Sequence, residues 1–352
     1  MSNKEIRCAL IRGGTSKGAY FLAEDLPSNQ EELFDLLIRI MGSPDERQID
    51  GIGGAHPLTS KVAVVSKSPD EIADVNYHFY QVTPGKSIVS DNQTCGNLLA
   101  GVGPFAIERG LVKAQDGITK VKIRSVNPKP LIAEVEIQTP NCIVNYAGKE
   151  YISGVPFGSA PIAINYDGDN VKIFSTGNLI DLVDGVEITC VDAGMPVIVL
   201  RASDFEIKGN ETIQELDSNS ALREKIESIR LQAGPIMGLG DVKEKTVPKI
   251  CLISEPFSGG AFSTRSFIPH VVHDAIGVLA AVSALAAVLT KGTNVYKSDL
   301  GTGPYKVEHP TGDFSVDAKL NYEGSKTSLI SSTLIRTARM LMDGVVWPRE
   351  NN

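Results

Sequence analysis

The sequence predicts an α+β protein of two similar β-rich domains, each wrapped round a central apolar helix, with a cleft between them. Three observations predict it. Short apolar and β-branched runs separated by turn residues fill both halves of the chain. Two segments, Leu98–Glu108 and His273–Leu289, are almost free of charge, and a helix that is apolar on every side is buried. At 352 residues the chain exceeds one typical core, so two domains are expected, with the join near Thr176–Val186.

The elements follow in order. Strands are expected at Arg7–Ile11, Lys61–Ser66, Tyr77–Val82, Lys120–Ser125, Leu131–Gln138 and Cys142–Tyr146. The second half adds Val186–Val191, Pro196–Leu200, Lys249–Ser254, Ser263–Phe267, Lys306–Glu308 and Phe314–Leu320. Helical spacing marks Gln30–Met41 and Asn219–Ala233, the latter broken by Gly234-Pro235. Each apolar helix follows a short polar segment, Asp91–Asn97 in one half and Pro269–Asp274 in the other, so two helix N-termini are expected to define the cleft.

Composition bounds the function. A net charge of −8, with no basic face, argues against nucleic acid, yet leaves room for a small anionic substrate held by local donors. The five cysteines are widely spaced, odd in number and without a CxxC pair, so neither a disulfide framework nor a zinc site is readable. The first residues lack an apolar signal region, and Ala275–Leu289 is too short to span a bilayer. A soluble cytoplasmic protein without membrane partners is expected.

Three motifs converge on the expected cleft. Arg12-Gly-Gly-Thr-Ser-Lys-Gly18 follows the first strand; its glycines permit close backbone approach, and Thr15 and Ser16 supply hydroxyls. It lacks the spacing of a phosphate-binding P-loop. Asp50-Gly-Ile-Gly-Gly-Ala-His-Pro-Leu-Thr-Ser-Lys61 runs into the apolar strand Val62–Val65 and places Ser60 and Lys61 at its lip. A lysine desolvated there loses preference for its charged form and becomes a candidate general base, although lysines more often extend to water. The third motif is Thr94-Cys95-Gly96-Asn97 at the head of the first apolar helix. Unpartnered N–H groups and the helix dipole make that head a site for a carboxylate, and the same field favours a thiolate at Cys95. In the other half Arg265, His270 and His273 are candidate donors to a substrate carboxylate.

Together RGGTSKG, DGIGG-x-x-PLTSKVAVVSKS and CGNLLAGVGPFAIERGL resemble the family of 2-methylaconitate isomerases. Ile229–Asp241, Phe267–His270 and Arg336–Trp347 look most like its 4-oxalomesaconate tautomerase/isomerase branch. The resemblance covers nearly the whole chain. It implies the fold of diaminopimelate epimerase and proline racemase, with domains 1–185 and 186–342 and the closing strand 343–352 joining the first. It also implies proton transfer within an unsaturated tricarboxylate without metal or organic cofactor, with the catalytic lysine and cysteine at Lys61 and Cys95. Relatives of this fold are often dimers, so a homodimer is the expected assembly, although no interface pattern is readable.

Epimerases of this fold use two cysteines, one at each helix head, whereas Val271–Gly277 holds none, which disfavours a racemase. A 1,3-allylic shift needs only one base. Lys61, unprotonated in the free enzyme, is expected to carry the proton between two carbons while N–H donors at Cys95–Asn97 hold the dienolate. Cys95 serves either as a second acid/base or as part of the carboxylate site. Thr94 stands where close relatives often carry Asn, and Asp274 where they commonly carry a basic residue. The favoured substrate is 4-oxalomesaconate, in aromatic-acid catabolism. The alternatives are 2-methylaconitate or methylitaconate isomerisation and, from another class, a non-catalytic binding protein of the same fold.

Overall fold

The computed structural model describes residues 5–127, 130–268, 271–323 and 326–350. The chain folds into two compact units, Met1–Asn165 with Ile335–Asn352, and Tyr166–Leu334. The first unit contains β1 (Ile6–Gly13), β2 (Ser16–Leu22), α1 (Gln30–Met41), β3 (Lys61–Lys67), β4 (Val75–Val82), β5 (Val89–Ser90), α2 (Gly96–Glu108), β6 (Gly117–Ser125) and β7 (Leu131–Thr139). The chain leaves this unit within β8 (Pro161–Lys172).

The second unit contains β9 (Asp181–Val183), β10 (Val186–Asp192), β11 (Pro196–Arg201), α3 (Ile213–Ser218), α4 (Ser220–Ile236), β12 (Lys249–Ser254), β13 (Phe262–Phe267), α5 (Val278–Leu289), β14 (Tyr305–His309) and β15 (Gly312–Glu323). The chain returns to the first unit within β16 (Lys326–Val346).

In the first unit the strand order β1-β2-β3-β4-β6-β7-β8-β16 closes on itself, because β16 also pairs antiparallel with β1. Closure removes the free sheet edge. The ring surrounds α2, which touches β1, β2, β3, β4, β6 and β7. Residues Leu98 through Ala106 of α2 are all buried, as expected of a helix apolar on every side. The side chain of Asn29 caps α1 by accepting from the Glu31 and Glu32 N–H groups, and α1 packs on the outside of the ring. There its Leu33, Leu37, Ile40 and Met41 meet Val62, Val64, Tyr80 and Val82. Strand alternation therefore turns Lys61, Ala63 and Val65 inward, toward α2.

In the second unit β16, β15, β14, β13, β12, β11, β10 and β9 follow in order, and Phe174 bridges to Val191 of β10. Its core helix α5 is buried from Ala280 to Val288 and touches β10, β11 and β15. The amphipathic α4 packs Leu222, Ile226, Ile229 and Ala233 against Ile198, Leu200, Ile250 and Leu252.

Several expected elements differ. The segment expected as a strand at Cys142–Tyr146 is not one; Pro140–Cys142 is a short 3-10 turn in which Asn141 and Cys142 have positive φ. Helix α4 runs through Gly234-Pro235 to Ile236, since Gly234 lies against Val242, where a Cβ would come within 2.5 Å. Helix α5 begins at Val278 with Gly277 as its N-cap, five residues later than expected. His273 cannot belong to it, because its N–H bonds to the Ser266 carbonyl and Val272 bridges to Phe267. The unit boundary falls inside β8 rather than at Thr176–Val186, because β8 continues without a turn.

Candidate active site

The site is assembled at the mouth of the first unit's ring from a hairpin turn, a strand start and a helix head. The RGGTSKG motif is the β1–β2 hairpin, with Gly13 paired to Ser16 across a Gly14-Thr15 turn. Gly14 has φ +53°, and a Cβ there would lie 2.2 Å from Asn97 Oδ1; one on Gly13 would lie 2.4 Å from the Asn97 carbonyl. The two glycines are therefore what lets the head of α2 lie against the turn. Asn97 Nδ2 then donates to Thr15 Oγ1 at 3.1 Å. Gly18 makes the same kind of approach further along β2, to the Lys61 carbonyl and to Leu98. Lys61 and the first turn of α2 thus meet across a residue without a side chain.

Lys61 opens β3 and is 8% exposed. Its Nζ donates to Gln81 Oε1 at 2.7 Å and lies 5.0 Å from the centroid of the Phe79 ring. Among the described residues no carboxylate pairs with it. Gln81 stands directly opposite Lys61 in the β3–β4 register. Its amide is oriented by Nε2, which donates to the carbonyls of Pro57, Ser60 and Val82. Ser60, fully buried, donates to Gln48 Oε1, which also accepts from the Ala55 N–H. Gln48 Nε2 donates to Ser43 Oγ, so this one amide organises the loop that delivers Lys61.

Cys95 is the N-cap of α2, in extended backbone, partly buried, and its side chain makes no capping bond. Among the described residues the N–H groups of Gly96, Asn97 and Leu98 have no acceptor, which leaves the positive end of α2 open. The Cys95 carbonyl accepts from the Leu99 N–H and the Tyr77 hydroxyl. Thr94 Oγ1 is bonded to Ser125 Oγ at 2.5 Å. Asn127 secures the approach: it accepts from the Phe79 N–H and donates to the carbonyls of Phe79, Asp91 and Gln93. Ser16 is 1% exposed, and its hydroxyl has no partner among the described residues.

Of the expected site residues, Thr15, Ser16, Ser60, Lys61, Thr94, Cys95, Gly96 and Asn97 all belong to the first unit. Arg265 and His273 belong to the second, and His270 lies outside the described residues. Arg265 is buried, with Nε donating to the Glu211 carbonyl and Nη1 to the Thr264 carbonyl. His273 Nδ1 accepts from the Ala275 N–H, and burial lowers its pKa, so the ring is held neutral with its proton on Nε2. Asp274 is exposed. Gln81, Gln48 and Asn127 escaped the sequence reading, and only the register of β3 against β4 would have pointed to Gln81. Among the described residues no cluster of His, Cys, Asp and Glu is placed to hold a metal ion, and no helix is long and apolar enough to cross a membrane.

A buried lysine and an open helix head within one closed ring of strands are equipped for proton transfer on an anionic substrate, the work of an isomerase. The comparisons with known proteins say which kind. Residues 3–348 match the model of the PrpF protein family, and the chain belongs to that family. It is 48% identical to the (4E)-oxalomesaconate Delta-isomerase of Novosphingobium sp. (strain KA1), over 97% of this chain and 96% of that one. It is 46% identical to the 4-oxalomesaconate tautomerase of Pseudomonas putida, over 98% and 97%. Among solved structures, methylitaconate-delta-isomerase superposes with a TM-score of 0.85 at 31% identity, covering 99% of this chain and 96% of that chain.

Proposed function

We propose that the protein catalyses a 1,3-allylic proton shift in an unsaturated tricarboxylate, with 4-oxalomesaconate as substrate and Lys61 as the base. The observation that carries this reading is the meeting of the Lys61 strand and the open α2 head across Gly18. A base and an anion site carried on elements that pack together at Gly18 are what such a shift uses. The Lys61 amine takes a proton from a carbon conjugated to a carbonyl, and the electron pair moves onto the carbonyl oxygen as a dienolate. The N–H groups of Gly96 and Asn97, at the positive end of the helix, hold that oxygen or a neighbouring carboxylate. The ammonium then returns the proton two carbons away, so the reaction is redox-neutral and the base is regenerated. Gln81 Oε1 gives Lys61 Nζ a fixed acceptor in both halves of the cycle. Thr15, Ser16 and Thr94 supply hydroxyls for the substrate's carboxylates, while the Ser60 hydroxyl is given to Gln48 and positions the Lys61 loop instead; Arg265, His270 and His273 are proposed as further donors to a carboxylate. Cys95 acts there as second acid/base or as part of the carboxylate site. The names of the two relatives at 46–48% identity support the choice of substrate.

The test is proton NMR in deuterated water with 4-oxalomesaconate and then 2-methylaconitate, on the wild type and Lys61→Met. Wild-type turnover of the oxalo-substrate is expected, with partial retention of protium at the new position because one base carries the same proton. Lys61→Met is expected to lose at least about a thousandfold in kcat, the upper part of the range for a general base. Near-normal turnover by a folded Lys61→Met protein sinks the mechanism. Turnover of 2-methylaconitate alone reassigns the substrate.

A further inference from the structure

The outer face of the first unit carries cations that the proposed chemistry does not use. In the strand register Arg339 of β16 lies opposite Arg12 of β1, and Arg12 lies opposite Lys17 of β2. Three cations therefore form one transverse row across three neighbouring strands, an arrangement that repels itself. Arg12 is held by fixed acceptors: its Nη1 donates to the carbonyls of Gly14 and Thr337, and its Nη2 to Ser159 Oγ. The side chains of Lys17 and Arg339 make no hydrogen bond or ion pair with any described residue. The row borders a cavity of about 270 Å³ lined also by Ser159, Phe157 and Leu341, and among the described residues no carboxylate lines it. Phe157 is 71% exposed and Leu341 45%, so an apolar rim stands beside the unpaired cations.

We propose that this cavity is a second binding site, for a small organic anion with one carboxylate or phosphate head and an apolar arm. The head bridges Lys17 and Arg339, with Arg12 and the Ser159 hydroxyl behind it, and the arm lies on Phe157 and Leu341. Uncompensated like charges are retained where a ligand neutralises them, and Arg offers such heads paired donors. The volume, below the usual range for drug-sized ligands, limits the occupant to roughly a single ring or short chain. Thr15 and Ser16, which the proposed function gives to the substrate's carboxylates, also line this cavity, so the two sites adjoin at the β1–β2 turn, and the Lys61→Met arm distinguishes them.

The experiment is calorimetric titration of the full chain with benzoate and with phenyl phosphate, on the wild type, Lys61→Met and the double variant Lys17→Gln/Arg339→Gln. Wild type and Lys61→Met are expected to bind alike, while the double variant binds about tenfold more weakly for each cation removed. Without ligand the double variant is expected to melt at or above the wild-type temperature, because repulsion within the row is relieved. No saturable binding by the wild type, equal binding by the double variant, or a ligand-free double variant melting below wild type each overturns the proposal. The tighter of the two probes identifies the head group.

Discussion

Replacing Gln81 by Met keeps the length of the side chain and removes its polar end, and so isolates what the amide does for Lys61. Two kinds of bond disappear. The Lys61 Nζ–Gln81 Oε1 contact of 2.7 Å is lost, and such bonds contribute about 0.5–1.5 kcal/mol. The Nε2 donations to Pro57, Ser60 and Val82, at 3.1, 3.1 and 3.3 Å, share one amide group and together contribute about 1 kcal/mol. A stability loss of roughly 1.5–2.5 kcal/mol is expected, offset in part by the apolar Met packing against Phe79. For catalysis the loss is of orientation: Nζ keeps the Phe79 ring face but no fixed acceptor. A tenfold to hundredfold fall in kcat, about 1.4–2.7 kcal/mol, is expected with KM changed little, since Gln81 is not proposed to touch substrate. Steady-state kinetics on 4-oxalomesaconate and a urea titration on the same preparation measure both effects. A variant that loses stability while kcat stays at the wild-type level refutes a positioning role and leaves Gln81 as a brace for the 57–60 loop.

Three further outcomes are expected. Gly14→Ala, which needs φ +53° and places a Cβ 2.2 Å from Asn97 Oδ1, should cost about 1–3 kcal/mol and lower kcat; unchanged melting and turnover would show the turn to be freely adjustable. His78 and His273 both have pKa values lowered by burial, so each binds its proton more readily in the unfolded chain. Their contribution to stability is complete above an unfolded pKa of about 6.5 and is lost as pH falls through the lower folded values. His273→Gln should flatten that acid-side decline in a denaturant series run from pH 7.5 to 5, and an undiminished slope would contradict the burial argument. Burial pushes the thiols of Cys8, Cys190 and Cys251 up to about 12, whereas Cys142 is exposed and Cys95 partly so. A thiol reagent should therefore label Cys142 first and Cys95 next in the native protein, and the other three only on unfolding; early labelling of Cys190 would refute this.

Much of the site was legible because its residues act locally. Helix α1 lies where its apolar spacing places it, and α2 begins within two residues of the expected start, because capping and periodicity depend on near neighbours. The glycine turn, Lys61 and the Cys95 head each sit in a short motif whose chemistry is readable without the fold. Other features were not legible. The longest strand, β16, is rich in Ser, Thr and Arg and alternates weakly, yet it closes the ring by pairing with β1 over 300 residues away. Gln81 and Asn127 are ordinary polar residues in sequence and acquire roles only through partners on other strands.

The sequence by itself determined the order of the two buried helices, the strand-rich halves around them, and the glycine, lysine and cysteine motifs. These depend on hydrophobic period, backbone freedom and residue chemistry, all of which are written in adjacent positions. Only the tertiary structure decided that α5 starts at Val278, because the preceding segment gives its backbone to Ser266 and Phe267 instead. It alone showed that Gly13, Gly14 and Gly18 are contact points for α2 and for Lys61 rather than plain turn residues. It alone set Arg12, Lys17 and Arg339 in one row. Strand register fixes such neighbours, and register is settled by the whole ring closing at once.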